Sequence, residues 1–197
     1  MTVGEARTLK MLVVDDDDDD LYLIKDAISE VKGTIYKVSE ATSALSAMSI
    51  LARDSFDVIL SDYRLGPVTG IDYIRNVRAA GIDTPIILLT GMPDYYIDEE
   101  ALRAGASDFL PKLSIGPEVI DRSVRYALAH AERQRLLQAV LRSTIAGMAV
   151  IDREGTVSLW NPRFTEFATA AFPDDPKRLN RLTEFAASSS DKDIILG

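Results

Sequence analysis

Short apolar runs alternate with amphipathic segments along roughly the first 120 residues of this chain. The predicted strands are residues 10–15, 34–39, 57–61, 85–90 and 107–110. The predicted helices are residues 21–31, 43–51, 71–80, 96–104 and a last one from residue 118 onward. Strands that alternate with helices form a parallel sheet covered on both faces, because each crossover helix buries its apolar stripe against the sheet. We therefore predict an α/β fold with a five-stranded parallel, doubly wound sheet, whose strand order the sequence does not reveal.

Two of the predicted strands run directly into aspartates. The apolar run at residues 12–14 ends at Asp15 and Asp16, and the run at residues 58–60 is followed by Ser61 and then Asp62. The carboxyl ends of parallel strands meet at one edge of a sheet, where open α/β sheets bind their ligands. Carboxylates gathered there repel one another, so the cluster is favourable mainly as a site for a divalent cation with oxygen ligands.

A hydroxyl and an ammonium group are predicted at the same edge. Thr90 closes the apolar run at residues 86–89, and Lys112 lies just past the fifth predicted strand. Together with the aspartates they supply two metal-binding carboxylates, a carboxylate nucleophile, a hydroxyl donor and a cation. This set suits phosphoryl transfer to a carboxylate, because that reaction depends mainly on positioning and charge neutralisation. We expect Asp62 to be the acceptor.

The composition narrows the remaining function classes. The formal net charge is −9, which argues against a surface for nucleic acid or anionic membranes, since those need clustered Lys and Arg. The absence of cysteine excludes disulfides, thiolate metal sites and thiol catalysis. Residues 1–10 contain no apolar signal core, and no segment is long enough to span a bilayer. The expected location is the cytoplasm.

Four segments together resemble the receiver domain of two-component response regulators. They are Val13-Val14-Asp15-Asp16, Ile59-Leu60-Ser61-Asp62-Tyr63-Arg64-Leu65, Leu88-Leu89-Thr90-Gly91 and Ala104-Gly105-Ala106-Ser107-Asp108-Phe109-Leu110-Pro111-Lys112. They occur in that family's order and near its spacing, and the resemblance covers roughly residues 9–127. It implies a flavodoxin-like receiver domain, assigned to residues 1–127, that is a regulatory phosphoacceptor and not an enzyme in its own right.

The resemblance also implies roles for individual residues around the acceptor. Asp62 receives a phosphoryl group from a histidine kinase or a phosphotransfer protein. Asp15, Asp16 and Asp62 hold Mg²⁺ together with the backbone carbonyl of Arg64. The phosphorylated domain then changes conformation to control a dimer or a downstream output.

For the conformational switch, the resemblance points to Thr90 and Phe109, with Lys112 as a further contact of the phosphoryl group. In the family a proline in a cis peptide usually follows this lysine. Here Leu113 follows Lys112 and Pro111 precedes it. We therefore expect the loop that positions Lys112 to differ from that of the family.

A run of four more aspartates, residues 17–20, follows the acidic pair. Aspartate is favoured at helix N-caps and in first turns, where it accepts hydrogen bonds from free backbone N–H groups and complements the helix dipole. We expect this run to cap the first helix and to matter less for the site than Asp15, Asp16 and Asp62.

Two other functions fit part of the pattern. A phosphatase of the haloacid dehalogenase type would use Asp15 as its nucleophile with Thr90, Lys112 and Mg²⁺, but it leaves Asp62 without a role. A single-domain adaptor that passes or absorbs phosphate without an output fits if the chain is complete.

The last predicted helix is unusually long. Neither Gly nor Pro interrupts residues 118–145, and Leu137, Leu141, Ile145 and Met148 fall on one stripe. We expect a connector at residues 117–147 that forms a homodimer as a parallel coiled coil. The alternative is a helix that folds back on its own domain.

The tail, residues 148–197, has its own pattern. Residues 149–160 are typical of a hairpin, and Asn161-Pro162 starts a short helix to about residue 171. This segment resembles the beginning of a PAS sensor domain, with no assignable cofactor. We therefore expect a small α+β PAS-like fragment of a longer regulator, with a docking hairpin native to a short protein as the alternative.

Overall fold

All five predicted strand–helix units are present in the computed structural model, which describes residues 7–91, 95–143, 146–151 and 157–171. The strands are β1 (Arg7–Val14), β2 (Thr34–Ala41), β3 (Val58–Asp62), β4 (Arg64–Leu65), β5 (Val68–Thr69), β6 (Ile86–Thr90) and β7 (Asp108–Pro111). The helices are α1 (Asp18–Ser29), α2 (Ala44–Leu51), α3 (Gly70–Ala79), α4 (Tyr95–Ala104) and α5 (Pro117–Ser143). The short antiparallel hairpin of β4 and β5 was not predicted.

Five of these strands form one parallel sheet in the order β2-β1-β3-β6-β7. The chain moves outward from β1 to β2 and then crosses back to add β3, β6 and β7 on the other side. The order therefore reverses between β1 and β3. At such a reversal the carboxyl ends of the strands leave a crevice in which open α/β sheets bind ligands. The predicted doubly wound fold is confirmed.

Helices cover both faces of the sheet, and β3 and β6 are buried along their whole length as a result. On one face, α1 and α5 bury Leu21, Ile24, Ile28, Ile120 and Val124. On the other face, α2, α3 and α4 bury Ala47, Ile71, Tyr73, Ile74, Val77 and Ala101. These two apolar layers fix the sheet edge at which the polar residues converge.

Polar caps determine where several helices begin. The Asp17 side chain caps α1 by accepting hydrogen bonds from backbone N–H groups in its first turn. Ser43 and Ser46 form a reciprocal capping box at the start of α2, and Thr69 and Asp72 form another at the start of α3. The caps of α1 and α3 lie close to the ends of β1 and β3, so they help to fix the loops around the sheet edge.

Helix α5 is the long helix that the sequence predicts, but it ends earlier than expected. Its last described residue is Ser143, and Ala146 and Gly147 are not helical. The predicted end at residue 147 is wrong, because glycine is a poor helix former and a strand begins two residues later. No helix in the described ranges, α5 included, is long and apolar enough to cross a membrane.

The chain divides into two compact units, Met1–Glu132 and Arg133–Gly197. The second contains the antiparallel hairpin of β8 (Ala149–Ile151) and β9 (Val157–Trp160), followed by α6 (Pro162–Ala171). The hairpin strands and the helix are confirmed as predicted local elements. The expectation for residues 172–197 lies outside the described residues.

Within the second unit, Asn161 is a buried junction between the hairpin and α6. Its side-chain oxygen accepts hydrogen bonds from the N–H groups of Met148 and Phe164, and its amide donates to the carbonyl of Ala146. Pro162 takes the first helical position, where its missing N–H costs nothing.

Candidate functional site

The register of the sheet brings the predicted site residues to one edge. Asp15 follows β1 at the level of Asp62, the last residue of β3. Thr90 ends β6 one position beyond the residue that pairs with Asp62, and Lys112 follows β7. Four adjacent strands thus deliver one functional side chain each to the same crevice.

Three carboxylates meet in this crevice. Asp15, Asp16 and Asp62 each offer an oxygen, and these oxygens all lie within 4.8 Å of one another. Asp15 and Asp62 are buried, whereas Asp16 is exposed. An oxygen donor set with one solvent-facing member fits a hard divalent cation that keeps some of its water, such as Mg²⁺.

Asp15 is the most enclosed of the three. Its Oδ1 accepts a hydrogen bond from the Asp17 N–H at 3.1 Å, and its Oδ2 accepts one from Lys112 at 2.7 Å. Burial raises the pKa of Asp15 above its usual value, and the nearby charge of Asp62 adds to that rise, while both hydrogen bonds oppose it. The ionised carboxylate is therefore costly in the folded protein and favours a cationic partner.

Lys112 supplies such a partner within the chain. Its Nζ lies 2.7 Å from Asp15 Oδ2, 2.5 Å from Asp20 Oδ2 and 2.9 Å from Asp62 Oδ1. Burial alone lowers the pKa of Lys112, but the hydrogen bonds to the three carboxylates outweigh it and raise the pKa, so the amine stays protonated. The lysine reaches the cluster even though Leu113 follows it.

Asp20 is the site residue that sequence reasoning missed. The expectation that residues 17–20 serve mainly as caps is confirmed for Asp17, whose side chain caps α1, but it is wrong for Asp20. Asp20 lies in the first turn of α1, where side chains are directed back toward the helix N-terminus and hence toward the sheet edge. Asp18 and Asp19 share that turn, so the signal that separates Asp20 is its position four residues before the buried Ile24, on the side of α1 that packs against the sheet.

The backbone around Asp62 is tightly fixed. Asp62 Oδ2 accepts a hydrogen bond from the Arg64 N–H at 3.0 Å, and the Tyr63 carbonyl accepts one from the Gly70 N–H at 2.6 Å. A Cβ added at Gly70 would lie 2.3 Å from the Asp62 carbonyl oxygen and 2.6 Å from Leu88 Cδ1. Only glycine fits here, a constraint that the sequence analysis did not identify.

Thr90 and Phe109 have different positions relative to the crevice. Thr90 is buried and lines the crevice together with Gly91 and the acidic residues. Arg64 also lines the crevice. Its side chain is exposed, and its backbone lies next to Asp62. Phe109 is partly buried and packs against the apolar layer formed with α2, α3 and α4. The structure therefore groups Thr90 with Asp62 and sets Phe109 apart from the pocket.

Comparison with known families agrees with this geometry. The family model described as response regulator receiver domain matches residues 11–124, more than half of the chain. The matched region contains all the strands of the parallel sheet apart from the start of β1, and every residue of the crevice described above.

Individual relatives match over the same region. The chain is 32% identical over 103 residues to the response regulator protein PilR of Pseudomonas aeruginosa, covering 52% of this chain and 22% of that protein. It is 34% identical over 127 residues to the C4-dicarboxylate transport transcriptional regulatory protein DctD of Rhizobium meliloti, covering 64% and 26%. The chain thus spans about a quarter of the length of these curated relatives.

Among solved structures, the receiver domain of the Francisella response regulator 1452 superposes with a TM-score of 0.54 at 29% identity. The superposition covers 60% of this chain and 96% of that chain. A whole receiver domain is therefore matched by the first part of this chain.

Proposed function

This chain belongs to the response regulator receiver family, and we propose from the geometry of its crevice that Asp62 is the residue that accepts the phosphoryl group. A receiver of this family is a regulatory phosphoacceptor in two-component signalling. In the proposed step the Asp62 carboxylate attacks the phosphorus of a phosphohistidine on a kinase or phosphotransfer protein. A P–O bond to Asp62 forms, the P–N bond breaks, and the histidine ring takes up a proton as it leaves.

The observation that carries this proposal is the central position of Asp62. It ends β3, which lies between β1 with its acidic pair and β6 with Thr90. Lys112 Nζ lies 2.9 Å from its carboxylate. Asp15, the nucleophile of the phosphatase alternative, is fully buried with both oxygens already hydrogen-bonded. Asp62 is buried in the same way with both oxygens engaged, so burial does not separate the two candidates, but the phosphatase alternative leaves the central Asp62 without a role.

We further propose that Asp15, Asp16 and Asp62 hold Mg²⁺, with the backbone carbonyl of Arg64 as an additional ligand. When bound, the ion neutralises the carboxylates and withdraws charge from a phosphoryl oxygen. The support is the donor set, three carboxylate oxygens within 4.8 Å of one another. Asp15 and Asp62 are held in place by backbone N–H groups, which orients them before any ion arrives.

Lys112 and Thr90 complete the proposed contacts of the phosphoryl group, and Thr90 and Phe109 form the proposed switch. Shifting a two-state equilibrium from about 1:99 to 99:1 takes about 5.5 kcal/mol of differential binding. One hydrogen bond to a charged group contributes about 1.5–3 kcal/mol. Thr90 alone is therefore insufficient, and Lys112 and backbone N–H groups must contribute as well.

The acceptor is tested by intact mass measured with Mg²⁺ and acetyl phosphate, which transfers its phosphoryl group and releases acetate. The wild-type protein is expected to gain the mass of one phosphoryl group, and the Asp62→Asn variant to gain none. Removal of Mg²⁺ with a chelator is expected to abolish the gain in the wild type.

Asp54→Asn is the matched control, because Asp54 is an exposed acidic residue away from the crevice. It is expected to gain the same mass as the wild type. An unmodified wild type, or an Asp62→Asn variant that is still phosphorylated, contradicts the assignment of Asp62.

We also propose that residues 117–147 connect the receiver to its output and form a homodimer through the helix α5. Leu136, Leu137 and Val140 on this helix are 58%, 55% and 61% exposed, which is unusual for large apolar side chains grouped on one face. Residues 1–127 are then the receiver and residues 148–197 a PAS-like fragment, a proposal supported by the hairpin and the buried Asn161 junction.

The proposed location is the cytoplasm, where a kinase can reach the receiver. DctD is named a transcriptional regulatory protein, so an output that binds nucleic acid is compatible with a receiver of this kind. We propose that this chain itself, with its net charge of −9, does not contact nucleic acid.

A further inference from the structure

Asp20 differs from the three aspartates that precede it. Asp17 caps α1, and Asp18 and Asp19 are exposed in the first turn. The Asp20 carboxylate instead turns into the crevice, where its Oδ2 lies 2.5 Å from Lys112 Nζ. Asp20 therefore contacts the site and does not cap the helix.

The Lys112 ammonium has three N–H donors, and three carboxylate oxygens surround it. They belong to Asp15, Asp20 and Asp62, at 2.7, 2.5 and 2.9 Å. A phosphoryl oxygen that is to contact Lys112 must therefore take the place of one of them. The capacity of this lysine is filled before any phosphoryl group arrives.

Asp20 is the carboxylate that is easiest to displace. Its side chain is 36% exposed, against 0% for Asp15 and 8% for Asp62. Asp15 and Asp62 each accept a further hydrogen bond from a backbone N–H, whereas the hydrogen bond recorded for the Asp20 carboxylate is the one to Lys112. A displaced Asp20 can turn to solvent, whereas Asp15 or Asp62 without Lys112 would stay a buried charge with less compensation, which is costly.

We propose that Asp20 is a positioning residue that occupies the phosphoryl-oxygen place on Lys112 and must leave it before phosphorylation proceeds. The inference rests on the proposed function, because it assumes that Lys112 contacts the phosphoryl group on Asp62. Asp20 holds the lysine over the acceptor in the resting protein and competes with the incoming anion for it. It thus slows phosphoryl transfer.

The test is the rate of phosphorylation by acetyl phosphate with Mg²⁺, followed by intact mass over a range of donor concentrations. Asp62 attacks the phosphorus, the new P–O bond forms, and acetate leaves with the electrons of the broken P–O bond. In the Asp20→Asn variant we expect the second-order rate constant to rise about fivefold, the effect of one partly exposed ion pair. The Asp20→Glu variant restores a carboxylate that reaches Lys112, and its rate is expected to return toward that of the wild type.

Asp19→Asn is the matched control, because it removes one charge from the same helical turn at an exposed position. Its rate is expected to stay near that of the wild type. A second measurement, the ¹⁵N and ¹H resonances of the Lys112 ammonium, is expected to change in Asp20→Asn and not in Asp19→Asn. A merely structural role in α1 would leave these resonances and the rate unchanged.

The outcomes separate this inference from the proposed function. A phosphorylated wild type with an equal or slower rate in Asp20→Asn overturns the role of Asp20 alone. An Asp19→Asn variant that is as fast as Asp20→Asn overturns it too, because a general charge effect then suffices. A wild type that is never phosphorylated overturns the proposed function and this inference together.

Discussion

At the scale of single residues, the proposed acceptor Asp62 depends on a close approach of two backbone segments. Gly70 begins α3 and donates its N–H to the Tyr63 carbonyl at 2.6 Å, one residue after Asp62. There is no room for a side chain, because a Cβ would lie 2.3 Å from the Asp62 carbonyl oxygen. The position of the Asp62 backbone thus depends on the absence of a Cβ at residue 70.

The Gly70→Ala variant is expected to lower the free energy of unfolding by about 1–3 kcal/mol, the usual cost of an atom inserted into a packed region. The added methyl group must push β3 away from α3, since both nearest contacts belong to the backbone of Asp62 or to the buried Leu88. Urea denaturation followed by circular dichroism measures the loss.

Gly116→Ala provides the control, since a Cβ at Gly116 has nothing within 4 Å and its φ is not in the left-handed region. It is expected to be neutral or slightly stabilising, because alanine reduces the freedom of the unfolded chain. Equal stability of Gly70→Ala and the wild type would show that the approach at Gly70 is not as tight as the structure has it.

The aspartates at residues 17–20 have different roles although they are neighbours in the sequence. Asp17, Asp19 and Asp20 carry the same carboxylate, yet one caps the helix, one faces solvent and one contacts Lys112. One position along a helix changes the direction of a side chain by roughly a third of a turn. The chemistry of each aspartate is therefore decided by its angular position on α1.

At the scale of elements, the start of α3 is fixed by a reciprocal cap. Thr69 Oγ1 accepts a hydrogen bond from the Asp72 N–H at 3.1 Å and donates one to Asp72 Oδ2 at 2.7 Å. The hydrogen bonds from Thr69 lower the pKa of Asp72 below its usual value of 3.8. The ionised form of Asp72 thus stabilises the folded state.

The pH dependence of this stabilisation follows from the lowered pKa. It is fully present above the unfolded-state pKa of Asp72 and is lost as the pH falls through the lower, folded-state value. We expect Thr69→Ala to cost about 1 kcal/mol at about pH 7. The penalty should shrink at about pH 3, since the wild type then loses part of the same stabilisation.

Urea denaturation of both proteins at the two pH values measures this change. Ser55→Ala, at an exposed position in a loop, is the control and should stay within about 0.5 kcal/mol of the wild type at both. A Thr69→Ala penalty that is larger at low pH would contradict the sign argued here.

At the scale of the whole molecule, the exposed apolar face of α5 is the proposed contact between two copies of the chain. Leu136, Leu137 and Val140 lie within about 100° of one another around the helix axis. In a parallel coiled coil such residues pack against the same residues of a second copy. The proposed homodimer would remove this face from water.

The Leu137→Glu variant is expected to convert the proposed dimer into a monomer, because two added charges would face each other in an apolar seam. Size-exclusion chromatography with light scattering measures the molar mass of both proteins. Gln138→Glu adds the same charge on the opposite, exposed side of α5 and should leave the mass unchanged. A monomeric wild type at every accessible concentration would rule out dimerisation through α5.

The alternation of strands and helices and the two acidic strand ends were predictable from the sequence. Both are local signals, since an apolar period and a terminal Asp15 or Asp62 need only neighbouring residues to be recognised. The end of α5 was not predicted correctly. The apolar stripe of the sequence continues to Met148, but Ala146 is already non-helical and β8 begins at Ala149.

By itself the sequence predicted candidate site residues such as Asp15, Asp62 and Lys112, because residue type and strand-end position are written into the chain. Only the tertiary structure decided the order of the strands and the partners that meet there. Asp20 and Lys112 are 92 residues apart along the chain, and their contact exists because β1 and β7 bring α1 and the loop after β7 to one edge. Such contacts depend on the packing of the whole domain, which no local pattern records.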